Sequence, residues 1–407
     1  MSIDLSHLFS SVAFKILRAV DLPNLGSNQH EINGAASLRE FFQTGNSLKG
    51  KLQWFYFEDG AAPEKSESDF TFYDARARSV ERTGRSEWRL YYSGSFLSKA
   101  SADDVLVLAK DRNDVIFALA FEQDSNWLQA ARVLFGFDPP RDQFQILTNS
   151  TLEYQTLEFT RQRIIEALGI EIVIPTTEAD RDLVLRTFGE SFPDTKTMSE
   201  FARSITSLNP RDDADLTLAA WIAREEELFR AIEDIIVSKK LNEGFADVDD
   251  FIKYSLSVQN RRKSRMGYAL MHHLAAVFDI YGLQYEREAV TERKNKPDFL
   301  FPGKSEYDDP NYSASRLVML GAKSSLKDRW RQILTEADRI PEKHLCTLEA
   351  GISRNQTEEM QRQHLTLIIP SGLHETYLPE QRTLLLTLHQ FIEIVANTQL
   401  KSSGDRS

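Results

Sequence analysis

Two short apolar segments followed by an amphipathic one constrain the fold of this chain more than any other feature. Residues 297–301 and 317–323 have the length and the apolar content of strands. Residues 327–340 repeat apolar side chains at helical spacing. Strands that alternate with helices usually form a sheet covered by helices on its faces. The C-terminal half is therefore predicted to be an α/β domain.

Charged residues stand at the ends of these segments. Asp298 lies near the start of the first predicted strand, Lys323 ends the second, and Glu336 lies about three turns into the predicted helix. If the strands pair, Asp298 and Lys323 converge, and Glu336 points back toward the sheet. Carboxylate oxygens suit Mg²⁺, and a lysine can orient an attacking water or neutralise a phosphate. The set predicts metal-dependent phosphodiester hydrolysis, with Asp298 and Glu336 as metal ligands.

Each of these residues also has a structural alternative. Pro297-Asp298 is a common turn dipeptide, Lys323 could be an exposed strand end, and Glu336 could pair with Gln332 or Arg339 on a solvated helix face. Their combined placement favours the catalytic interpretation.

A polar triplet follows the lysine. Lys327 and Arg329 can donate to guanine O6 and N7, and the carboxylate of Asp328 can accept from cytosine N4. These three residues are therefore predicted to contact G·C base pairs. Asp328 has an alternative role, because Ser325 and Asp328 also fit a helix capping box.

Composition sets wider limits. The chain has 407 residues, of which 41% are hydrophobic and 27% charged, as expected for two globular domains. No membrane span or secretion signal is predicted, and a single cysteine excludes an intrachain disulfide framework. A cytoplasmic location fits these features. The net charge of -12 argues mildly against nucleic acid, but the local basic run at 261–265, with Arg262 and Arg265, is predicted to contact DNA.

The two halves of the chain differ in pattern. Residues 1–172 contain short strands separated by turns, among them 52–57, 88–92, 105–108 and 115–121, and two segments that look helical, 129–135 and 158–168. They predict an all-β core with a few helices, as in a barrel. Residues 173–215 are polar and are predicted to be a linker. Residues 216–407 begin with a strong amphipathic helix at 216–240 and form the α/β domain. A shorter helix is expected at 248–258, ended by the basic run, and a closing helix at 379–397.

The motifs of the C-terminal half resemble a known family. Residues 297–302 read PDFLFP, and residues 321–340 read GAKSSLKDRWRQILTEADRI. Both resemble the catalytic domain of the EcoRII restriction endonuclease family, a PD-(D/E)xK nuclease family, and the likeness extends over about 217–400. The resemblance implies Asp298, Lys323 and Glu336 as the catalytic set and Tyr307 as an active-site accessory. It also implies that the triplet at 327–329 reads a CC/GG dinucleotide.

One position departs from the family pattern. The family often has a glutamate on the helix that follows its Arg-x-Gly motif, and this chain has Met271 there. Because Asp298, Lys323 and Glu336 are intact, activity is still expected.

A weaker likeness covers the N-terminal half. Residues 19–21 and 26–31 are similar to the first recognition arm of the EcoRII effector domain, a B3-like pseudobarrel, and residues 85–89 fall near its second arm. The residues that this likeness predicts to contact DNA are Asn28, Gln29, His30, Arg85 and Arg89. The alternative is that residues 28–30 form a polar turn.

Together these features predict a two-domain type II restriction endonuclease. It would use Mg²⁺ to cut double-stranded DNA at a CC-(A/T)-GG type site, as a homodimer, with the N-terminal domain binding a second DNA copy as effector. Two alternatives remain open: a phage-defence or repair nuclease of relaxed specificity, and a catalytically decayed DNA-binding regulator.

Overall fold

The chain forms two compact units in a computed structural model. The first comprises Met1–Ile172, Ala350–Gln356 and Glu375–Pro379, and the second comprises Val173–Glu349, Thr357–His374 and Glu380–Ser407. The structure describes residues 9–23, 30–77, 84–137, 143–148, 164–165, 176–324, 326 and 330–404. Five residues predicted to contact DNA lie outside the described residues, namely Asn28, Gln29, Lys327, Asp328 and Arg329.

An eight-stranded sheet organises the first unit. Its strands are β1 (Phe9–Ile16), β2 (Glu31–Ile32), β3 (Leu48–Phe57), β4 (Glu64–Asp74), β5 (Trp88–Tyr92), β6 (Val105–Asp111), β7 (Ile116–Phe121) and β8 (Gln145–Thr148). Their order is β2-β5-β4-β3-β7-β6-β1-β8. All pairs are antiparallel except β3 with β7, in which Leu52 lies opposite Ile116. The four strands predicted in this half are confirmed.

Aromatic side chains fill the core of this unit. Trp54, Phe72 and Tyr92 are fully buried, and Tyr92 packs edge-on against Trp54 with ring centroids 5.3 Å apart. The unit adds helices α1 (Leu38–Phe42) and α2 (Asn126–Phe135). Ser125 caps the start of α2 by accepting a hydrogen bond from the Leu128 amide. The observed eight-stranded sheet with a few helices agrees with the prediction, and the helix expected at 129–135 is present as α2.

Long helices open the second unit. They are α3 (Glu178–Phe188), α4 (Thr195–Ser204), α5 (Ala214–Glu243) and α6 (Val248–Tyr281). Val184 of α3 and Met198 of α4 share a buried cluster with Leu228 and Ile232 of α5. Asp194 and Asp213 cap α4 and α5 with their side chains. The segment expected to be a linker therefore contains two helices that pack on α5.

Helix α6 corrects a second expectation. The predicted helix at 248–258 does not stop at the basic run but continues to Tyr281, so that α6 has 34 residues in all. The helix can continue through the basic run because two of its arginines pair with carboxylates of α5. Arg262 binds Glu233, and Arg265 binds Glu226. Gly282, in the left-handed conformation, ends the helix.

A five-stranded sheet follows in the same unit. Its strands are β9 (Glu286–Arg287), β10 (Phe299–Phe301), β11 (Val318–Lys323), β12 (Lys343–Thr347) and β13 (Leu365–Ile368). They run in the order β13-β12-β11-β10-β9, parallel from β11 to β13 and antiparallel at β9 and β10. The remaining helices are α7 (Lys304–Asp308), α8 (Trp330–Ile333), α9 (Arg354–Arg362), α10 (Pro379–Arg382) and α11 (Leu388–Gly404). The α/β prediction for this half is confirmed.

Two predicted helices are shorter than expected. The described part of the 327–340 helix is limited to Trp330–Ile333, after which the chain turns. Ala337 has a φ of 49°, a left-handed conformation that ends any helix. The closing helix is likewise split into α10 and α11, because the Leu386 amide bonds the Leu367 carbonyl of β13. None of the described helices is long and apolar enough to cross a membrane.

Candidate active site

Strand pairing brings Asp298 and Lys323 together. Phe299 lies opposite Leu320 in the antiparallel pair β10–β11, so the residue before β10 reaches the end of β11. Asp298 Oδ2 accepts hydrogen bonds from the Lys323 ammonium at 2.8 Å and from the Ala322 amide at 2.6 Å. The side chain of Lys323 is 23% exposed and that of Asp298 13%. The pair is therefore preorganised and still open to solvent on one side.

Glu336 faces the same pair from a turn rather than from a helix. It follows α8, and its amide donates to the Ile333 carbonyl at 3.1 Å. Burial raises the pKa of Glu336 to about 7; the negative charge of Asp298 raises it further, and Lys323 and Lys343 oppose the shift. Asp298 and Lys323 therefore both interact electrostatically with Glu336. Asp298 and Lys323 converge as expected. The predicted helical position of Glu336 is wrong, and its role beside this pair stays a prediction.

One carboxylate oxygen of Glu336 has no partner. Its Oε2 is buried, and no hydrogen bond reaches it from any residue that the structure describes. A buried acceptor without a partner destabilises a fold, so such an atom is retained where a ligand satisfies it. A divalent cation between Asp298 and Glu336 would satisfy it. Within the described ranges no cluster of three or more His, Cys, Asp or Glu side chains could hold a metal. Two carboxylates fit Mg²⁺, which usually binds few carboxylates and keeps several waters.

Tyr307 lies behind the turn that carries Glu336. Its side chain is buried, and its hydroxyl donates to Glu292 at 2.6 Å and accepts from the Arg339 amide at 3.2 Å. Burial and the carboxylate of Glu292 raise the pKa of Tyr307. The predicted accessory residue therefore contacts the segment after Glu336, not the Asp298–Lys323 pair.

The two predicted DNA-binding arginines of α6 are paired inside the protein. Arg265 is 4% exposed, lies over the Phe229 ring at 4.4 Å, and binds Glu225 and Glu226. The prediction that Arg265 contacts DNA is wrong, because a buried, paired guanidinium cannot reach a duplex. Arg262 is half-exposed, but its Nε donates to Glu233 at 2.8 Å. The sequence did not indicate these partners on α5.

Some of the predicted DNA-contacting residues of the first unit already interact with other residues of the protein. Arg89 donates to Glu31 and to Glu87, both at 2.6 Å, and these partners raise its pKa. Base recognition by Arg89 would have to replace two charge-assisted hydrogen bonds. The ring of His30 packs edge-on against Tyr92, with centroids 5.5 Å apart. Arg85 is exposed.

The position of the family glutamate is apolar here. Met271 is buried on α6. His273, two residues further along α6, is fully buried, and its Nε2 lies 3.0 Å from a carboxylate oxygen of Glu225 on α5. His272 lies 3.4 Å from the Thr195 hydroxyl. Neither histidine therefore belongs to the Asp298–Lys323–Glu336 site.

Sequence comparison connects this geometry to a family. Residues 229–392, which include Asp298, Lys323 and Glu336, match the family model for the EcoRII C-terminal domain. A stretch of 169 residues is 44% identical to the type II restriction enzyme EcoRII of Escherichia coli. It spans 41% of this chain and 42% of that enzyme, so the match covers less than half of either protein.

Two restriction endonucleases of known structure are distantly similar to part of this chain. One is metal-depleted Ecl18kI in complex with uncleaved, modified DNA, with 15% identity, a TM-score of 0.45, and coverage of 55% of this chain and 84% of that one. The other is a PspGI–substrate DNA complex, with 14% identity, a TM-score of 0.40, and coverage of 56% and 94%. This likeness is too distant to assign any role to a residue.

Proposed function

We propose that this protein is a type II restriction endonuclease that hydrolyses double-stranded DNA in a reaction that depends on Mg²⁺. One observation carries the proposal: Glu336 has a buried carboxylate oxygen without a described partner, and it interacts electrostatically with the hydrogen-bonded pair of Asp298 and Lys323. The match to the EcoRII C-terminal domain, which covers all three residues, supports it.

The three side chains have different roles in the proposed reaction. Asp298 and Glu336 hold the cation, which supplies Lewis-acid stabilisation of charge on the scissile phosphate. Lys323 is fixed by Asp298 at the end of β11, where its ammonium can neutralise a phosphate oxygen as negative charge develops there. Because this pair is already in place, little reorganisation is needed at the moment of reaction.

Sequence recognition is assigned to the segment that follows Lys323. Lys327, Asp328 and Arg329 read the CC/GG ends of a CC-(A/T)-GG type site. A near-palindromic site calls for twofold symmetry, so the active form is a homodimer. The first unit acts as a B3-like effector domain that holds a second DNA copy, with contacts from Asn28, Gln29, His30 and Arg85. Arg89 holds Glu31 and Glu87 in place through its hydrogen bonds.

Cleavage of a DNA of known sequence tests the proposal. The purified full chain is incubated with Mg²⁺, and the fragment ends are sequenced. We expect discrete fragments that share CC/GG ends. Asp298→Asn and Lys323→Met should abolish cutting but retain specific DNA binding in a gel-shift assay. Asp182→Asn changes a carboxylate that is 66% exposed on α3 and serves as the matched control.

Each other outcome favours a different function. A smear of fragments without a common end favours a nuclease of relaxed specificity. Specific binding without any cutting by the wild type favours a regulator that has lost catalysis. Normal cutting by Asp298→Asn or Lys323→Met removes the proposed active site.

A further inference from the structure

The backbone on both sides of Glu336 is held by side chains rather than by regular secondary structure. The Thr335 carbonyl accepts from Asn295 Nδ2 at 2.6 Å, and the Ala337 amide donates to the Thr291 hydroxyl at 3.4 Å. One residue further, the Asp338 amide donates to Glu292 at 3.2 Å. Both ends of the turn are therefore anchored to the short 3-10 segment at 291–295.

Lys343 secures the centre of the same turn. Its ammonium donates to the Glu336 carbonyl and, at 2.8 Å, to the Ala337 carbonyl. Lys343 is the first residue of β12, and its own amide bonds the His364 carbonyl at 2.8 Å. The ammonium thus connects the turn to the parallel part of the sheet, where its position is set by strand pairing.

Burying Lys343 and holding Ala337 at a positive φ both reduce the stability of the fold, and features that reduce stability are usually retained for a function. Lys343 is 6% exposed, and lysine is rarely buried because desolvation disfavours its charged form. Burial lowers the pKa of Lys343, while Asp338, Glu292 and Glu336 oppose that shift. Ala337 adds a second cost, because a φ of 49° disfavours a residue with a Cβ. The ammonium group of a lysine has three N–H donors. It can therefore bind the two neighbouring carbonyls of this turn at the same time.

We propose that Lys343 is a positioning residue that fixes the Glu336 carboxylate at the metal site through the Glu336 and Ala337 carbonyls. Asn295 is its counterpart on the other side of the turn. Neither side chain touches the cation or the DNA. This inference rests on the proposed function, since it takes Glu336 as a metal ligand. It explains how a short turn, rather than a helix, can present a ligand in a fixed place.

Direct metal binding is the first test. The probe is Mn²⁺ alone, titrated into the full chain, with the free ion counted by electron paramagnetic resonance. Lys343→Met removes the donors and keeps the length of the side chain, and Asn295→Ala loosens the other anchor without touching a buried charge. We expect each to weaken Mn²⁺ binding by about tenfold or more, as loss of a residue that orients a metal ligand does. Lys239→Met, at an exposed lysine of α5, should bind like the wild type.

A second measurement separates positioning from general stability. In the Glu336→Gln background, Lys343→Met should cause no further loss of Mn²⁺ binding, because it acts only through Glu336. The Mg²⁺ concentration that half-saturates cleavage should rise in Lys343→Met, and specific DNA binding without metal should not change.

The outcomes are distinguishable. If the wild type binds Mn²⁺ and cuts DNA but both variants bind the ion as tightly as it does, the positioning role is wrong and the proposed function stands. A further loss in the Glu336→Gln background also overturns it. If the wild type neither binds Mn²⁺ nor cuts, the proposed function fails first. Should Lys343→Met not fold, Asn295→Ala decides alone.

Discussion

Two buried glutamates of the second unit differ in the partners that their carboxylate groups have inside the protein. Glu225 on α5 is fully buried, accepts from Ser199 at 2.6 Å and from Arg265 at 3.4 Å, and lies 3.0 Å from Nε2 of His273. Burial raises its pKa, but the hydrogen bond and charge of His273 outweigh burial, so the pKa lies below its ordinary value. Glu336 has a raised pKa and a buried oxygen without a partner among the described residues.

The difference separates a structural carboxylate from a ligand. A carboxylate whose oxygens are all used inside the protein can only hold the fold together. One that is buried, charged and incompletely bonded destabilises the fold until something else binds it. Replacing each glutamate should therefore have opposite effects: one replacement should reduce activity but not stability, and the other should reduce stability but not activity.

Glu336→Gln should give the largest effect on catalysis. We expect cleavage to fall by about 10³-fold, the loss typical of removing an electrostatic contributor to a transition state. Thermal stability should stay the same or rise, because an incompletely bonded buried charge is removed. Single-turnover cleavage and a melting curve measure the two effects. Glu342→Gln changes a glutamate that is 63% exposed on the same segment and is the control. Cleavage at the wild-type rate would make Glu336 a structural residue.

Glu225→Gln should reduce the stability of the fold and leave the cleavage rate unchanged. Removing the Glu225 charge leaves the buried Arg265 with Glu226 as its remaining carboxylate partner among the described residues, which destabilises by about 1–3 kcal/mol. Urea denaturation measures this loss, and the cutting rate per folded molecule should not change. The control is Glu227→Gln, two residues along α5, whose half-buried pair with Arg224 is worth about 1 kcal/mol or less. A stable Glu225→Gln that cuts poorly would place the α5–α6 cluster in the catalytic machinery.

His344 tests whether a missing partner is by itself a sign of function. Its side chain is 8% exposed on β12, packs against Phe391 with ring centroids 5.2 Å apart, and leaves Nδ1 without a described partner. Burial lowers its pKa to about 4, opposed by a hydrogen bond with the Met319 backbone. A neutral imidazole loses far less than a carboxylate when buried without a partner. His344 is therefore expected to be structural.

The pH dependence of stability follows from that shift. Unfolded histidine takes up a proton near pH 6.5, and folded His344 does so only near pH 4. Stability is therefore fully present above about pH 6.5 and declines as the pH falls to about 4, by about 3 kcal/mol for this residue. Urea denaturation at pH 7 and pH 4.5 should show a smaller difference for His344→Leu than for the wild type. Equal differences would mean that His344 is protonated in the folded protein.

The sequence could predict the convergence of Asp298 and Lys323 because strand pairing alone produces it. Both strands are short apolar runs, and their antiparallel register places the two residues within hydrogen-bonding distance. The four strands predicted in the first unit have similar apolar runs. β4 was missed, since six of its residues, Glu64–Asp69, are polar and mostly exposed.

The turn at Glu336 could not be predicted in the same way. Periodicity favoured a continuous helix, but Ala337 takes a left-handed conformation that its residue type disfavours. The contacts that hold it come from Asn295, Thr291 and Lys343, none of which lies within one helical turn of it. The basic run of α6 is a similar case, because its carboxylate partners lie on α5. In both places tertiary contacts override the local pattern.

Packing beneath the site gives the smallest expected effect. A Cβ built on Gly321 of β11 would lie 2.5 Å from Ile333 Cδ1, and the Ile333 carbonyl accepts from the Glu336 amide. Gly321→Ala should therefore displace α8 and destabilise by about 1–2 kcal/mol. Ile333→Val removes the methyl group in question, so the double variant should lose less stability than the sum of the two single losses, as urea denaturation would show. Cleavage should follow the same order, since the displacement moves Glu336. Additive losses would mean that Gly321 and Ile333 do not contact each other, and that packing beneath β11 does not set the position of Glu336.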